Sequence, residues 1–292
     1  MSLNVETSNN MEQHIKQKLG LDIVNIPPNI NISTMTMEAK FNTTFNPWYI
    51  YKYIHRDPNG IIKVNIRNNE KKSRLGKKPI DVTSVFATKK KPCNGKRKAK
   101  FLNQVTAIVN TSNKKNGMPV SIKIFKNGTL HFTGCHNTEN ILEVAKKICD
   151  ECRKTRAILT KERRIKEVRF ASDISVLGIE NLHSFKIDMI NSNFAVPFEI
   201  DRPKLYKKLR ADNHNVYYDS NKHAAVNLIY KKGITLFIFE SGSIIIIVGN
   251  SGFAPIIDGY NFIYRYLLEN YDDIVKDNSI MHKYLAEYIE QY

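Results

Sequence analysis

Two groups of side chains invite a chemical reading. The first is Cys149-x-x-Cys152, with Cys135 and His136 upstream, because thiols and imidazole are the ligand types of a zinc centre. Both members of the pair lie inside a helical pattern, and the Cys135–Cys149 spacing fits no zinc finger, so they read as buried or idle thiols. The eight histidines form no His-Glu-x-x-His, no Ser/His/Asp order stands out, and there is no P-loop or Gly-x-Gly-x-x-Gly. The expectation is a protein that is not an enzyme and carries no metal or cofactor. The second group is aromatic. Phe125 and Phe239 each stand in the pattern apolar-x-Ile-Phe-x-x-Gly-x-apolar, as SIKIFKNGTLHFTG (121–134) and within TLFIFESGSIIIIVG (235–249). An aromatic ring held on an uncovered strand face can stack on a base or enter a partner's pocket.

The elements that must position these rings follow from the same pattern. Each segment reads as strand, tight turn with Gly, strand, and Gly128 and Gly242 are 114 positions apart, as are Phe125 and Phe239. A helical pattern follows each hairpin, over Thr138–Arg153 and over Ala254–Leu268. The chain therefore reads as a tandem duplication of an α+β unit. Alternation sorts the faces. Ile122, Ile124, Leu130 and Phe132, and in the second hairpin Leu236, Ile238, Ile244 and Ile246, form the side packed under a helix. Lys123, Phe125, His131 and Thr133 face the other way, as do Phe237, Phe239, Ile245 and Ile247. With helices for only one side of the sheet, that second face is the expected partner site.

Charge points to the kind of partner. The 292 residues carry 45 Lys+Arg against 28 Asp+Glu, a net charge of +17, which favours a polyanion and nucleic acid first. Between Lys63 and Lys100 there are 14 basic residues and only Glu70 and Asp81, so this stretch reads as a basic loop. A second basic run, Arg153–Arg169, has helical character. The longest apolar run, Ile244–Val248, is five residues, which excludes a membrane-spanning helix, and Met1–Asn10 lacks a signal-peptide core. Four cysteines are too few for a disulfide scaffold and point to a reducing intracellular site. Frequent Ile, Asn and Lys indicate AT-rich coding, which raises Lys without functional meaning.

At this point the sequence resembles the TATA-box-binding protein family over most of its length. The resembling segments are ISTMTMEAKF (32–41), KFLNQVTAIV (100–109), IFKNGTLHFTG (124–134), FKIDMINSNFAVPFEI (185–200), LIYKK (228–232) and FIFESGSIIIIVG (237–249). The resemblance implies two pseudo-symmetric repeats forming one curved antiparallel saddle-shaped sheet with helices on the convex side. Its divisions would be an arm (1–28), a first repeat (29–180) with a basic insertion at about 43–99, a second repeat (181–276) and a helical tail (277–292). It implies a transcription initiation factor that binds A·T-rich double-stranded DNA in the minor groove and kinks it with phenylalanine wedges. Phe101 and Phe125 match the first wedge pair. Phe239 matches one member of the second, whose partner position falls on Ala225, leaving Phe237 as a substitute. Groove-floor positions fall on Phe237, Ile245, Lys123 and His131, Ile32 is a further expected DNA-binding residue, and Thr133 matches a threonine that contacts base edges, with Ile247 or Val248 as its second-repeat equivalent. The family's central asparagines fall on Ile30 and Met189, with Asn31 and Asn191 as substitutes if the strands slip. Lys100 and Lys231 match phosphate-binding arginines. Implied partners are initiation factors of IIB type and the RNA polymerase machinery, with the chain a monomer on DNA. The acidic docking patch of the second repeat is replaced by SNKHAA (220–225). Divergence, the insertion and AT-rich coding point to a large DNA virus, and so to host cytoplasm or nucleus, with packaging in the virion a further expectation. Two other readings stay open: a basic nucleoprotein without base preference, predicting a steep salt slope, and a scaffold acting only through protein contacts.

Overall fold

The computed structural model describes residues 2–21, 26–66, 103–112, 119–160 and 162–276. Lys100, Phe101, most of the basic stretch (67–100) and the expected C-terminal tail (277–292) lie outside the described residues. Ten strands form one antiparallel sheet. They are β1 (Asn31–Lys40), β2 (Ile61–Asn65), β3 (Gln104–Val109), β4 (Val120–Phe125) and β5 (Thr129–Cys135), then β8 (His183–Ala195), β9 (Asn215–Tyr217), β10 (Ala225–Lys231), β11 (Ile234–Phe239) and β12 (Ser243–Gly249). Their order, β2-β3-β4-β5-β1-β8-β12-β11-β10-β9, is the same five-strand path run outward twice from a central β1–β8 pair. The expected duplication is thus present as an α+β fold with one continuous sheet.

Period-two alternation builds this sheet, and the predicted core faces are the buried ones. Ile122, Ile124, Leu130, Phe132, Leu236, Ile238, Ile244 and Ile246 are all fully buried. Helix α3 (Thr138–Arg153) covers β4 and β5, and α5 (Ala254–Glu269) covers β11 and β12. α3 starts at Asn137, whose side chain accepts the Asn140 N–H, and sinks Ile141, Val144, Ala145 and Ile148 into the core. The N-terminal arm holds a helix: α1 runs Ser2–Leu19 and packs against α3, with Ile15 buried.

The two turn glycines are fixed by close approach. Gly128 has φ +91°, and a Cβ there would stand 2.3 Å from the Phe41 carbonyl oxygen; at Gly242 (φ +78°) it would stand 2.5 Å from the Phe198 oxygen. Equivalent backbone bonds clamp both turns, with Phe41 N–H donating to Gly128 (3.1 Å) and Val196 N–H to Gly242 (3.0 Å).

The first repeat's extra length falls later than expected. Residues 43–66 hold α2 (Pro47–Tyr53) and β2, which mirror α4 (Arg202–Ala211) and β9 in the second repeat. Both helices begin with the same device, an Asn46 or Asp201 side chain accepting an N–H three residues on. The added residues therefore lie beyond β2. The Arg153–Arg169 run is not helical: Lys154 leaves α3 in an extended conformation, and β6 (Arg156–Leu159) pairs with β7 (Ile165–Val168) as a separate hairpin. Charge spacing suggested a helix there, but Ile158 and Ile165 favour strands, and Arg163 at φ 59° closes the turn. α6 (Tyr271–Ile274) and the bridge between Ile200 and Val275 close the second repeat.

Candidate nucleic-acid interface

The face opposite the helices is the candidate site, and strand register fixes which side chains it carries. In the first hairpin Lys123 lies across from His131 and from Thr106, Ser121 from Thr133, and Phe125 from Gln104. In the second, Phe237 lies across from Ile245 and from Asn227, and Phe239 from Ala225. Phe125, Phe237, Phe239, Ile245, Lys123 and His131 are all half-buried on this open face, and Thr133 is exposed. Ile247 pairs with Asn191 and Thr235 on the open face, whereas Val248 is fully buried, so Ile247 is the second-repeat counterpart of Thr133.

The central strands carry more polar groups than expected. Met189 and Asn191 lie on the open face without any slip of β8, opposite Thr36 and Thr34 of β1. Asn31 pairs with Asn193, whose side-chain oxygen accepts from Asn31 Nδ2 (3.3 Å) and Ser33 Oγ (2.9 Å). Thr34 Oγ1, Asn191 Oδ1, Asn227 Oδ1 and His131 Nδ1 are buried atoms without a hydrogen-bond partner among the described residues. Such orphans cost free energy unless something satisfies them, and all four are on this one face.

Ile32 is a correction. It pairs with the fully buried Ser192 and packs against the core, because β1 is bulged between Ile32 and Thr34 and parity changes there. Ile30, in the straight position of a central asparagine, is buried as well. Gln104 is the residue directly across from Phe125; Phe101 and Lys100 precede it outside the described residues.

Charges on the open face are mixed. His131 Nε2 is 3.3 Å from Asp188, which also pairs with Lys186 at 3.2 Å. Glu38, across from His131, joins them to form a group of three ligand-type atoms within 4.8 Å of one another. Lys231 is not among these open-face charges: β10 is irregular between Ile229 and Lys231, and its ammonium is tied to Asp258 of α5 at 2.6 Å, a bond that holds it above the ordinary lysine range, and stands over the Tyr230 ring at 4.7 Å. The three described cysteines belong to the core instead. Burial pushes the Cys135 and Cys149 thiols up to about 12 and raises that of Cys152 too, which disfavours the thiolate a metal needs.

Sequence reasoning missed Gln104, Thr36, Glu38, Asp188, Asn193, Asn227 and His223. Parity along β10 would have found Asn227 from Phe237. Parity along β1 from Ile32 would have found Thr36 and Glu38 in the same way, whereas His223 precedes its strand, where no periodicity operates.

No protein-family model matches the chain. A protein of Acanthamoeba polyphaga mimivirus described as TATA-box-binding protein-like is 31% identical over 267 residues, which is 84% of this chain and 67% of the relative. Among solved structures, Methanococcus jannaschii TBP is similar over 82% of this chain and 97% of that chain, at 14% identity and a TM-score of 0.46. The extent of the mimivirus match decides the matter: this chain belongs to the TATA-box-binding protein family.

Proposed function

We propose that the open face binds A·T-rich duplex DNA through the minor groove, kinks it with aromatic wedges, and so marks sites for transcription initiation. The observation that carries this reading is the pair of half-buried phenylalanines, Phe125 and Phe239, set at equivalent hairpin positions 114 residues apart on the face that, among the described residues, no helix covers. Wedges that unstack base steps open the groove against a broad apolar surface. The groove floor of the second repeat, Ile245, Ile247 and Phe237, offers no donors or acceptors and suits the degenerate pattern of A·T pairs. The half-buried Thr34, Asn191 and Asn227 add polar side chains to this face. The net charge of +17 adds phosphate attraction independent of sequence. The helix-covered face remains free for initiation factors and polymerase while DNA occupies the other.

The test is end-to-end energy transfer on a labelled duplex of about one to two helical turns, A·T-rich against G·C-rich, across a salt series. Bending of the A·T duplex alone is expected. Tight, unbent binding to both duplexes would support a packaging role, and absence of binding would leave a scaffold that works through protein contacts.

A further inference from the structure

The second half of the open face ends in three rings, not two. His223 sits in the turn before β10, exposed, with its ring centroid 5.4 Å from Phe237 and 6.4 Å from Phe239. Its orientation is fixed from behind. His223 Nδ1 accepts the Ala225 N–H at 3.1 Å, which assigns the ring proton to Nε2 and directs that edge away from the backbone. Ala225, directly across from Phe239, is 1% exposed, so this corner presents rings rather than the methyl group. In the first half the residue across from Phe125 is Gln104, and no ring is recorded against Phe125 among the described residues.

We propose that His223 is the second-half partner of Phe239: its ring stacks on a base at the opened step, and its Nε2–H donates to a minor-groove acceptor. This rests on the minor-groove reading above. A tilted pair of rings backed by Phe237 forms a wedge thick enough to hold a step unstacked. Base–aromatic stacking is tolerant of ring type, so an imidazole serves where a phenyl would. The donor edge adds what a phenyl lacks, because purine N3 and thymine O2 in the minor groove are acceptors.

The experiment uses the full chain and a labelled A·T duplex with 2-aminopurine placed at each step in turn. The wild type is measured first, and two bright steps with a bent duplex are expected. His223→Ala should silence the step under the second repeat, straighten the duplex part-way and weaken binding about tenfold. His223→Phe should restore the bright step. His223→Asn keeps an acceptor for the Ala225 N–H but has no ring, and it should behave as His223→Ala. Thermal unfolding of His223→Asn should match the wild type, and His223→Ala and His223→Phe should lose no more than the single Ala225 N–H bond. If the wild type leaves the duplex straight, the minor-groove reading fails and this inference with it. If the wild type bends DNA and His223→Ala does so equally, with both steps bright, the ring takes no part and the proposal alone is overturned.

Discussion

Phe125 and Phe239 close β4 and β11 with their rings on the uncovered face, so each contributes little to the core it borders. Replacing either by Ala should change unfolding free energy by no more than about 1 kcal/mol while removing its kink. Phe132, only seven residues from Phe125 and fully buried, is the internal control: Phe132→Ala should cost about 3–5 kcal/mol. Urea unfolding beside the bending assay separates the two, and a loss of several kcal/mol for Phe125→Ala would make that ring a core residue. The thiols give a second prediction at this scale. Cys135 and Cys149 titrate near 12 in the folded chain against an ordinary 9.0, so the folded state holds its protons longer than the unfolded one. Their contribution is therefore complete below pH 9 and is lost as pH rises towards 12, at about 1.4 kcal/mol per pH unit for each thiol. Urea unfolding from pH 8 to 10.5 should show this decline, and Cys149→Ala should be less steep than the wild type. Equal slopes would mean the thiol is accessible in the folded protein.

At the scale of elements, the two hairpins depend on one backbone device. Gly128 and Gly242 combine positive φ with carbonyl oxygens 2.3 and 2.5 Å from where a Cβ would stand, so Gly128→Ala and Gly242→Ala should each cost at least about 1–2 kcal/mol. Gly134, also at positive φ (+88°) but with nothing within 4 Å, should lose only the conformational part, and thermal unfolding of the three variants should rank them in that order. These hairpins were also the most legible elements. SIKIFKNGTLHFTG alternates strictly, its turn chemistry is local, and the faces assigned to it are the faces observed. α3 was legible for the same reason, its Ile141–Ile148 stripe having helical period. Legibility failed where geometry is not periodic. A bulge in β1 between Ile32 and Thr34 turns Ile32 to the core while Thr34, Thr36 and Glu38 keep the open face, and no residue type announces it. The Arg153–Arg169 run failed differently, since its charges recur at helical spacing while Ile158 and Ile165 decide the outcome. His223 was illegible because its role comes from a turn that folds back over two strands, a contact with no signature in spacing.

At the scale of the molecule the two halves share a backbone plan but differ chemically, and under the proposed minor-groove binding that difference should set an orientation on DNA. The open face of the second repeat is the more apolar, with Phe237, Phe239, Ile245, Ile247 and the exposed Ile229 against the polar Asn227 and Thr235. That of the first carries Gln104, Thr106, Ser121, Lys123, Thr129, His131 and Thr133, with Glu38 beside them. In the minor groove a G·C pair differs from A·T by the guanine amino donor. An apolar floor buries that donor unpaired, at a cost of about 1–3 kcal/mol per group, while hydroxyl, amide and carboxylate oxygens accept it. A duplex with one A·T half and one G·C half should therefore be bound in a single direction, with the second repeat over the A·T half. Cleavage reagents tethered at Lys126→Cys and Ser241→Cys, both in exposed turns and in a Cys93→Ser background, read this directly. Cutting from position 241 confined to the A·T half, and from 126 to the other, is the expected pattern. Equal cutting of both halves from each position would mean that the chemical asymmetry of the sheet is not read, and that orientation is left to partners on the helical face.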